Sequence, residues 1–438
     1  MRGWHRYRCG SYDGAMNTEY DVLIIGGGLV GASLAIALDG AGLRVALIEA
    51  APPRVDQQPS YDERNLALAR ATVNALTALG VWEKCGARAT PIRKIHISRQ
   101  GEFGAVRLDA AKHGLDSFGA VLPARELGNG LLARLDVCRE LTRLAPAKLI
   151  TVVAAADAIT ATLATADGDC TLRTRLLVGA DGTASFVRSA LGIETQNVDY
   201  AQTAFVCTIM PQRTPDCAYE RFTASGPVAL LPLAERRVGV VLTVPAADAA
   251  RVAALDDAGF VGLLHERFGW RLGRLSRPGR RVSYPLRRVQ AQRLVAPRAV
   301  LVGNAAQTLH PIGAQGFNLG LRDALTLAEL LVDGVRASTD PGATALLADY
   351  AERRREDREG TIAMSDGLAR FTANEAPPLK LLRSFGLLAL NRIAPLQDVL
   401  VRRGMGFRGK PPRLALSGSF VESPAWTPVC SSAIKEDR

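Results

Sequence analysis

The stretch DVLIIGGGLVGASLAIALDGAGLRVALIEA, residues 21–50, has the pattern of a strand, a glycine-rich turn, a helix and a second strand. Gly26, Gly28 and Gly31 have G-x-G-x-x-G spacing, and Glu49 ends the second strand. In such a unit the first glycine makes the turn, the second lets a pyrophosphate approach the helix amides, and the third lets helix and strand pack closely. The carboxylate accepts hydrogen bonds from ribose hydroxyls. The stretch therefore predicts a dinucleotide site; the alternative is a glycine-rich turn that holds no ligand.

A second segment, LLVGADGTASFVRSALGI (residues 176–193), repeats the order strand, turn, helix. It places Asp181 in the turn and Ser185 and Arg188 on the first turns of the helix, where their side chains can reach an anion. The alternative is a helix-capping aspartate beside a surface arginine. Alone, the segment does not decide between the two.

A third segment, GNAAQTLHPIGAQGFNLGLRDA (residues 303–324), lies between an apolar run and a helical pattern. It holds His310, Pro311 and four glycines, whereas a simple strand-to-helix connection needs a few residues and one glycine. The segment predicts backbone that is brought close to a ligand.

Composition limits the class of protein. The chain has 438 residues, of which 48% are hydrophobic, so it can form two or three globular domains. No apolar run reaches the roughly 18–20 residues of a membrane-spanning helix. Seven scattered cysteines without C-x-x-C spacing, and an N-terminus without an apolar signal segment, predict reduced thiols and a cytoplasmic protein. No metal site is expected, because no second histidine or carboxylate lies at ligand spacing from His310.

The net charge of +11 is concentrated in two regions. Residues 267–298 hold ten arginines and no acid, and residues 377–413 hold eight basic residues against Asp398. Such patches can bind nucleic acid, but no nucleic-acid-binding motif or series of stacking aromatics accompanies them. We therefore expect no nucleic-acid partner.

Together the three glycine-containing motifs resemble the fingerprints of the class A flavoprotein aromatic hydroxylases. Within that class, residues 20–414 resemble the ubiquinone-biosynthesis hydroxylases in the segments DERNLALA, DYAQTAF, YERFTASGPVALLPL, FGWRLGR and RRGMGFRGKPPRLA. The wording GNAAQTLHPI is most similar to the members that hydroxylate 2-octaprenyl-6-methoxyphenol.

The resemblance implies an α/β fold with a Rossmann-like FAD-binding domain of the p-hydroxybenzoate hydroxylase type, an inserted β-sheet substrate domain and C-terminal helices. Residues 148–179 show β-type alternation, and the β-rich pattern of residues 200–290 agrees with an inserted sheet. The predicted segments are a disordered extension (1–16), three parts of the FAD-binding domain (17–87, 119–190 and 296–345), two parts of the substrate domain (88–118 and 191–295), C-terminal helices (346–414) and a disordered tail (415–438).

The resemblance also implies roles for individual residues. Those expected to hold FAD are Gly26, Gly28, Gly31 and Glu49 at the ADP part, Arg64 and Arg125 at the phosphates or ribityl chain, Asp181 in the second turn, Gly303 and Asn304 by the ribityl chain, and Gly316, Asn318 and Leu319 beside the isoalloxazine. In that assignment Asn318 and Leu319 offer backbone amides. His310 and Pro311 would form the catalytic pocket wall, where His310 is either a base that polarises the phenol or a structural residue.

The chain departs from the family pattern at three places. Asn304 stands where an aspartate is usual, Gly313-Ala314 inverts the usual Ala-Gly order, and Leu242 replaces a tryptophan that many relatives carry. None of these changes removes a group that the chemistry requires.

The resemblance implies an FAD-dependent monooxygenase that uses NADH or NADPH and O₂, and hydroxylates a polyprenylated phenol through a flavin C4a-hydroperoxide. The expected reaction converts 2-polyprenyl-6-methoxyphenol to the 1,4-benzoquinol. Two alternatives stay open. One is a hydroxylase of a small soluble aromatic acid, although residues 200–245 are largely apolar and such enzymes hold a carboxylate with Arg and Tyr. The other is a non-catalytic flavin-binding subunit, which Asn304 and Ala314 leave open.

The C-terminal segment, residues 377–414, combines leucines near helical spacing with many basic residues. It predicts reversible association with anionic lipid at the inner face of the plasma membrane, or with an acidic or lipid-carrying accessory protein. The alternative is a helical lid whose leucines pack on the flavin domain. Charge reversal at Arg402, Arg403 and Arg408 is expected to lower activity on a long-tailed substrate and to spare a short-tailed one.

Overall fold

The computed structural model of the chain describes residues 19–52, 64–373 and 376–416. The extension predicted at residues 1–16 lies outside these ranges, as does the predicted tail from residue 417 onward.

Within the described ranges the chain forms twenty β-strands. They are β1 (Glu19–Ile25), β2 (Val45–Ile48), β3 (Asn65–Ala69), β4 (Thr90–Pro91), β5 (Lys94–Arg99), β6 (Ala105–Asp109), β7 (Gly119–Pro123), β8 (Leu141–Leu144), β9 (Ala147–Ala154), β10 (Ile159–Thr165), β11 (Gly168–Gly179), β12 (Thr195–Pro211), β13 (Ala218–Phe222), β14 (Val228–Pro232), β15 (Val238–Pro245), β16 (Leu275–Ser276), β17 (Val282–Ala291), β18 (Val295–Ala296), β19 (Ala299–Leu301) and β20 (Gln307–Thr308).

The same ranges contain eleven α-helices. They are α1 (Leu29–Leu38), α2 (Arg70–Ala78), α3 (Trp82–Cys85), α4 (Ala124–Leu135), α5 (Phe186–Ala190), α6 (Ala249–Ala253), α7 (Asp257–Phe268), α8 (Gln315–Arg336), α9 (Thr344–Ala373), α10 (Pro377–Arg392) and α11 (Ala394–Gly404).

The first sheet has the strand order β18-β19-β11-β1-β2-β8, and β10 and β9 extend it beside β11. The strands from β19 to β8 are parallel, so their carboxyl ends lie at one edge. The central strand β1 is buried along almost its whole length, and α1 and α8 pack together beside it. Because β1 has β2 on one side and β11 on the other, the chain reverses its winding direction there, and ligands of open α/β sheets bind outside this point.

The second sheet has the order β20-β17-β12-β15-β14-β13-β5-β6, with β16 at the end of β12. Along β12, Phe205, Cys207 and Ile209 point to a core that also includes Phe260 and Leu264 of α7. One face of the sheet is therefore closed by helices. Strand β20 lies in the segment assigned to the FAD-binding domain, yet it pairs with β17 of this sheet and so connects the two layers.

A third sheet of three short strands, β3-β7-β4, lies between the two large ones. Strand β3 was not predicted from the sequence. Strand β3 is antiparallel to β7, which follows it by about fifty residues. The strand exists because of this distant pairing.

Helices α10 and α11 lie over the end of the second sheet that is formed by β5 and β6. Their inner side chains share a core with Val106 and Leu108 of β6. None of the helices in the described ranges has the length and apolarity needed to cross a membrane.

Candidate active site

The three motifs meet at the carboxyl edge of the first sheet. A side chain at Gly26 would clash with the carbonyl oxygen of Ala180, 2.5 Å from the Cβ position, so the first turn lies directly on the second. Val30 lies against Gly303 in the third motif, with its methyl groups 3.1 Å from the Cβ position there. The guanidinium of Arg188 donates to the carbonyl of Ala305 at 2.9 Å, which joins the second motif to the third.

In the first turn, the three glycines meet different requirements. Gly26 has φ +107°, a conformation that side chains disfavour. A Cβ at Gly31 would overlap the carbonyl oxygen of Gly26, so only glycine lets α1 approach β1 this closely. Gly28 is the N-cap of α1 with φ −65°, which any residue can adopt. The backbone conformation therefore does not explain why residue 28 is a glycine. A ligand that occupies the space of a side chain there would explain it.

The carboxylate of Glu49 is already held by backbone amides. It accepts from Gly27 N–H at 2.6 Å and from Ala51 N–H at 2.7 Å. A carboxylate has about four acceptor positions, so two remain for hydroxyl donors. The group is fixed where a ribose would lie outside α1.

In the second turn, Asp181 lies beside Ser185, the N-cap of α5. The aspartate accepts from Ser185 Oγ–H at 2.5 Å and from Val187 N–H at 3.0 Å. The structure gives part of each reading of this segment: the aspartate binds an amide in the first turn of α5, but Arg188 is buried and not on the surface. Both ends of its guanidinium donate to backbone carbonyls, of Ala305 and of Thr183. Arg188 therefore holds the third loop in place and does not reach out to an anion.

In the third loop, Gly303 has φ +60° and Asn304 is exposed at the surface of the crevice. Gly313 and Ala314 both lie in the left-handed region, with φ +71° and +51°. The inverted Gly-Ala order thus places an alanine at an angle that favours glycine. The strained pair immediately precedes α8.

Helix α8 begins at Gln315, so the amides without an acceptor four residues back are those of Gln315, Gly316 and Phe317. The amides of Asn318 and Leu319, which the sequence assigned to the isoalloxazine, lie one turn further into the helix, and Leu319 is fully buried. A Cβ at Gly316 would meet no atom within 4 Å. This glycine leaves open space beside the helix N-terminus.

The side chain of Asn318 has a structural task. Its carbonyl accepts from Ala69 N–H at 2.9 Å and from Thr72 Oγ–H at 2.7 Å. Its amide donates to the carbonyls of Ala67 at 2.9 Å and Ala314 at 2.8 Å. All four hydrogen-bonding positions are used, so Asn318 fixes β3 and the strained turn against the start of α8.

His310 is buried behind the same loop. Ile312 N–H donates to its Nδ1 at 3.2 Å, which places the ring proton on Nε2, and Nε2–H donates to Gln202 Oε1 at 3.1 Å. Burial lowers the pKa of His310 to about 4. With both nitrogens occupied and the ring neutral, the geometry favours the structural interpretation of His310 over that of a base. Pro311, the next residue, is exposed.

Tyr200 packs edge-on against His310, with 4.9 Å between ring centroids. Burial, with the hydrogen bond that its hydroxyl donates to Asp366 at 3.0 Å, raises the pKa of Tyr200 to about 12. Asp366 also lies 3.4 Å from the guanidinium of Arg288. No role was assigned to Tyr200, Asp366 or Arg288 from the sequence: Tyr200 lies in the segment DYAQTAF, and the other two lie on different elements.

Arg64 and Arg125 are brought together by a backbone bond, in which Ala124 N–H donates to the Arg64 carbonyl at 2.8 Å. The guanidinium of Arg64 lies over the ring of Tyr284, 5.6 Å from its centroid, and thus points toward the second sheet. Arg125 is half exposed in the first turn of α4 and lies 3.7 Å from Glu126.

One face of the second sheet packs against the start of β3. On this face Gly239 touches Asn65, whose amide nitrogen lies 2.5 Å from the Cβ position. The side chains along one row across five neighbouring strands are Ile97, Glu220, Ala229, Val241 and Val206, which are successive register partners. The row is apolar and partly open, with a single carboxyl group.

Glu220 in this row is partly buried. Loss of hydration among its apolar neighbours raises its pKa to about 7. It is the acidic group on the candidate substrate face that sequence reasoning missed, because YERF has no spacing that distinguishes it.

Buried charges support the third loop from behind. Asp323 of α8 accepts from Gln307 at 2.6 Å and from Arg354 of α9 at 2.7 Å, and Asp357 lies between Arg354 and Arg322 at 2.7 Å from each. Such a paired network is costly to break, because each remaining charge would be buried alone.

The arrangement fits FAD. The amides at the start of α1 suit a pyrophosphate, Glu49 suits a ribose, and the open space at Gly316 lies beside free first-turn amides of α8. Among the described residues, no three His, Cys, Asp or Glu side chains are grouped as metal ligands would be.

Comparison with known proteins agrees with this geometry. Residues 19–364 match the family described as FAD binding domain. The chain is 38% identical to ubiquinone hydroxylase UbiL of Rhodospirillum rubrum, over 92% of this chain and 94% of that protein. It is 32% identical to 3-demethoxyubiquinol 3-hydroxylase of Escherichia coli, over 89% and 99%. The chain belongs to the FAD-dependent aromatic monooxygenases, within the family of the ubiquinone-biosynthesis hydroxylases.

The fold has solved counterparts as well. Over 90% of its length the chain superimposes on the whole p-nitrophenol 4-monooxygenase PnpA of Pseudomonas putida, with a TM-score of 0.75 and 19% identity. This likeness supports the expected p-hydroxybenzoate hydroxylase type of architecture, with its separate sheets and C-terminal helices.

Proposed function

We propose that the protein hydroxylates the ring of a polyprenylated phenol, converting 2-polyprenyl-6-methoxyphenol to the 1,4-benzoquinol, with NADH or NADPH as reductant. Its family membership supports a ring hydroxylation that belongs to ubiquinone biosynthesis. The observation that carries the proposal is the apolar row on the second sheet, on the face against which Asn65 of β3 packs. A phenol with an apolar tail matches such a face, since burying the tail there removes apolar surface from water.

The proposed roles follow from the positions of the residues. The first turn of α1, with Gly28 at its N-cap, binds the pyrophosphate of FAD, and Glu49 binds the ribose. The first turn of α8 binds the electron-rich edge of the isoalloxazine through its amides and the positive end of the helix dipole. Bound FAD, once reduced, supplies the activation of O₂ from which one oxygen atom reaches the ring. Pro311 and the buried ring of His310 shape the pocket wall and exclude water.

The apolar row also separates this proposal from the alternative of a small aromatic acid. An aromatic carboxylate would need a cation beside it, whereas the charged group within the apolar row is the carboxyl of Glu220 and the Arg64 guanidinium lies over Tyr284 of β17. A second negative charge close to Glu220 would be repelled. A neutral, long-tailed phenol avoids this cost.

The test is quinone-intermediate analysis in a strain that lacks the gene. We expect 2-polyprenyl-6-methoxyphenol to accumulate and the purified protein, yellow with bound FAD, to convert it to the benzoquinol. Accumulation of an intermediate that already carries the para hydroxyl would assign the enzyme to another ring position. Rescue of the strain by a variant that binds no flavin would show a scaffolding subunit instead.

We also propose that the protein works at the cytoplasmic face of the membrane, because a polyprenyl phenol must come from a bilayer or a lipid-carrying protein. The positions of the basic residues support this. Arg402 and Arg403 are exposed on α11, whereas the guanidinium of Arg408 packs over Gly360, 2.6 Å from its Cβ position. Arg408 therefore belongs to the structure of the helix layer, and a test of surface charge should leave it unchanged.

A further inference from the structure

Large exposed apolar side chains are concentrated in one part of the described chain. Of thirteen such side chains, eight lie between residues 371 and 399. They are Phe371, Leu381, Leu382, Phe385, Leu388, Ile393, Leu396 and Val399. Single exposed apolar residues are ordinary, but a contiguous group marks an interaction site.

Most of this group lies on α10 and α11. The orientation of these two helices follows from the residues that they bury on the opposite side. In α10, Leu387 and Leu390 face the core shared with β6, and in α11 Leu400 and Val401 face the same core. Because one core takes the inner sides of both helices, their exposed apolar residues share the outer side of one layer. The alternative of a helical lid, in which the leucines pack on the flavin domain, does not describe Leu382, which is 60% exposed.

The layer is fixed to the second sheet. Arg383 of α10 and Arg99 of β5 both pair with the buried Glu102, at 2.7 Å and 2.9 Å. At the tip of the β5–β6 hairpin, Phe103 is 63% exposed and contacts Phe385 edge-on, with 5.6 Å between centroids. The exposed apolar surface therefore continues from α10 onto the hairpin.

The exposed charges on α10 and α11 are mostly positive. The exposed cations on α10 and α11 are Lys380, Arg392, Arg402 and Arg403. The acid in the same stretch, Asp398, lies 3.0 Å from Nδ1 of His113. An exposed apolar strip bordered by cations complements a surface that has an apolar interior and anionic head groups.

We propose that the outer side of α10 and α11, together with Phe103, docks on a lipid bilayer that carries anionic lipid. We call this surface the docking face. The inference rests on the proposed function, since a bilayer is needed only if the substrate has a polyprenyl tail. The inner side of the same helices shares its core with Leu231, which is the register partner of Gly239 on the substrate face. Apolar side chains thus continue from the helix layer to the substrate face, and the proposal takes this line as the path along which the tail leaves the bilayer.

The experiment compares FAD-loaded wild-type protein with two variants in vesicle co-sedimentation. Leu382→Asp plus Phe385→Asp changes the docking face, and Val137→Asp plus Val153→Asp makes the same charge change at exposed apolar positions elsewhere. The vesicles are phosphatidylcholine alone, or phosphatidylcholine mixed with phosphatidylglycerol. Wild type and the control should bind the mixed vesicles, and the docking-face variant at least about tenfold more weakly, because its apolar contacts with the acyl region are lost.

A second measurement separates this inference from the proposed function. Each protein is assayed with a short-tailed phenol in solution and a long-tailed phenol in vesicles, and its FAD absorbance is recorded. The docking-face variant should retain FAD and short-tail turnover while losing long-tail turnover. Equal vesicle binding by all three proteins would overturn the docking face. So would a wild-type oligomer that the docking-face variant breaks into monomers while vesicle binding persists, since the face would then join copies of the chain. Absence of short-tail turnover in wild type would contradict the proposed function alone.

Discussion

At position 314 an alanine occupies a backbone conformation that favours glycine, with φ +51° and ψ +39°. A non-glycine residue there costs about 1–2 kcal/mol, and a glycine loses part of that gain through its greater freedom in the unfolded chain. We expect Ala314→Gly to raise the free energy of unfolding by about 0.5–1 kcal/mol. Urea unfolding of the apoprotein measures this. Ala337→Gly is the matched control, because Ala337 ends the same helix with φ −89°, and it should not be stabilised.

His310 gives a prediction about pH. Its pKa is lowered to about 4 in the folded protein. Between pH 6.5 and 4 the histidine is therefore mostly protonated in the unfolded chain and mostly neutral in the folded protein. Stability therefore falls as the pH drops through this range. The shift corresponds to at most about 3 kcal/mol, and a His310→Asn variant should show a correspondingly shallower fall between pH 6.5 and 4.5. Parallel curves for variant and wild type, measured by urea unfolding, would mean that His310 is charged in the fold.

For Glu220 the pH dependence of stability has the opposite sign to that of His310. Its pKa is raised to about 7, so the folded protein holds a proton that the unfolded chain releases, and stability rises as the pH falls from 7 toward 4.5. Glu220→Gln should be more stable than wild type at pH 8, by about 1–2 kcal/mol after allowance for partial exposure, and equal to it below pH 4.5. Turnover measured alongside adds information: a variant that is more stable but slower would place Glu220 in substrate recognition.

At the scale of elements, two glycines of α8, Gly316 and Gly320, have different surroundings. Gly316 faces open space, whereas a Cβ at Gly320 would lie 2.9 Å from both Gly303 Cα and Val30 Cγ2. We expect Gly316→Leu to stabilise the apoprotein by about 0.5–1 kcal/mol through helix propensity, and to abolish FAD retention. Gly320→Ala should destabilise the apoprotein through the clash. Absorbance at the flavin band after gel filtration, with urea unfolding, checks both; a yellow Gly316→Leu protein would exclude the flavin from this end of α8.

How much of the structure could be predicted from the sequence depends on how close together in the chain the interacting residues lie. The βαβ unit and its glycines could be predicted because turn, cap and helix follow one another within thirty residues. The role of Asn318 could not, since its partners Ala67, Ala69 and Thr72 lie about 250 residues away. The same holds for Arg188 and its acceptor Ala305. For α10, helical spacing marks apolar positions without telling which are covered, so the sequence left a lid and a lipid-binding segment both open, whereas in the structure Leu382 is exposed.

At the scale of the whole molecule, the C-terminal helices meet the second sheet through one buried acid. Glu102 is 5% exposed in its side chain and holds Arg99 and Arg383, which are equally buried, so the group joins hairpin and helix layer. Removing one partner of such a group leaves charge buried without compensation, which costs about 3–5 kcal/mol. Because the group is remote from the three motifs, we expect this loss to act on the helix layer and not on the cofactor site.

The prediction is that Glu102→Gln loosens α10 and α11 while the protein keeps its FAD. Hydrogen exchange should rise in residues 377–404 and stay unchanged in α1 and β1. Long-tail turnover should fall more than short-tail turnover, because the proposed path from the docking face passes beneath these helices. Lys94→Gln serves as the control, because Lys94 lies on β5, the strand that also carries Arg99. The change removes an exposed ion pair with Asp216, and such pairs contribute about 0–1 kcal/mol. If exchange instead rose uniformly through both sheets, the helix layer would be part of a single cooperative unit with the FAD-binding domain, and the bilayer could not act on it separately.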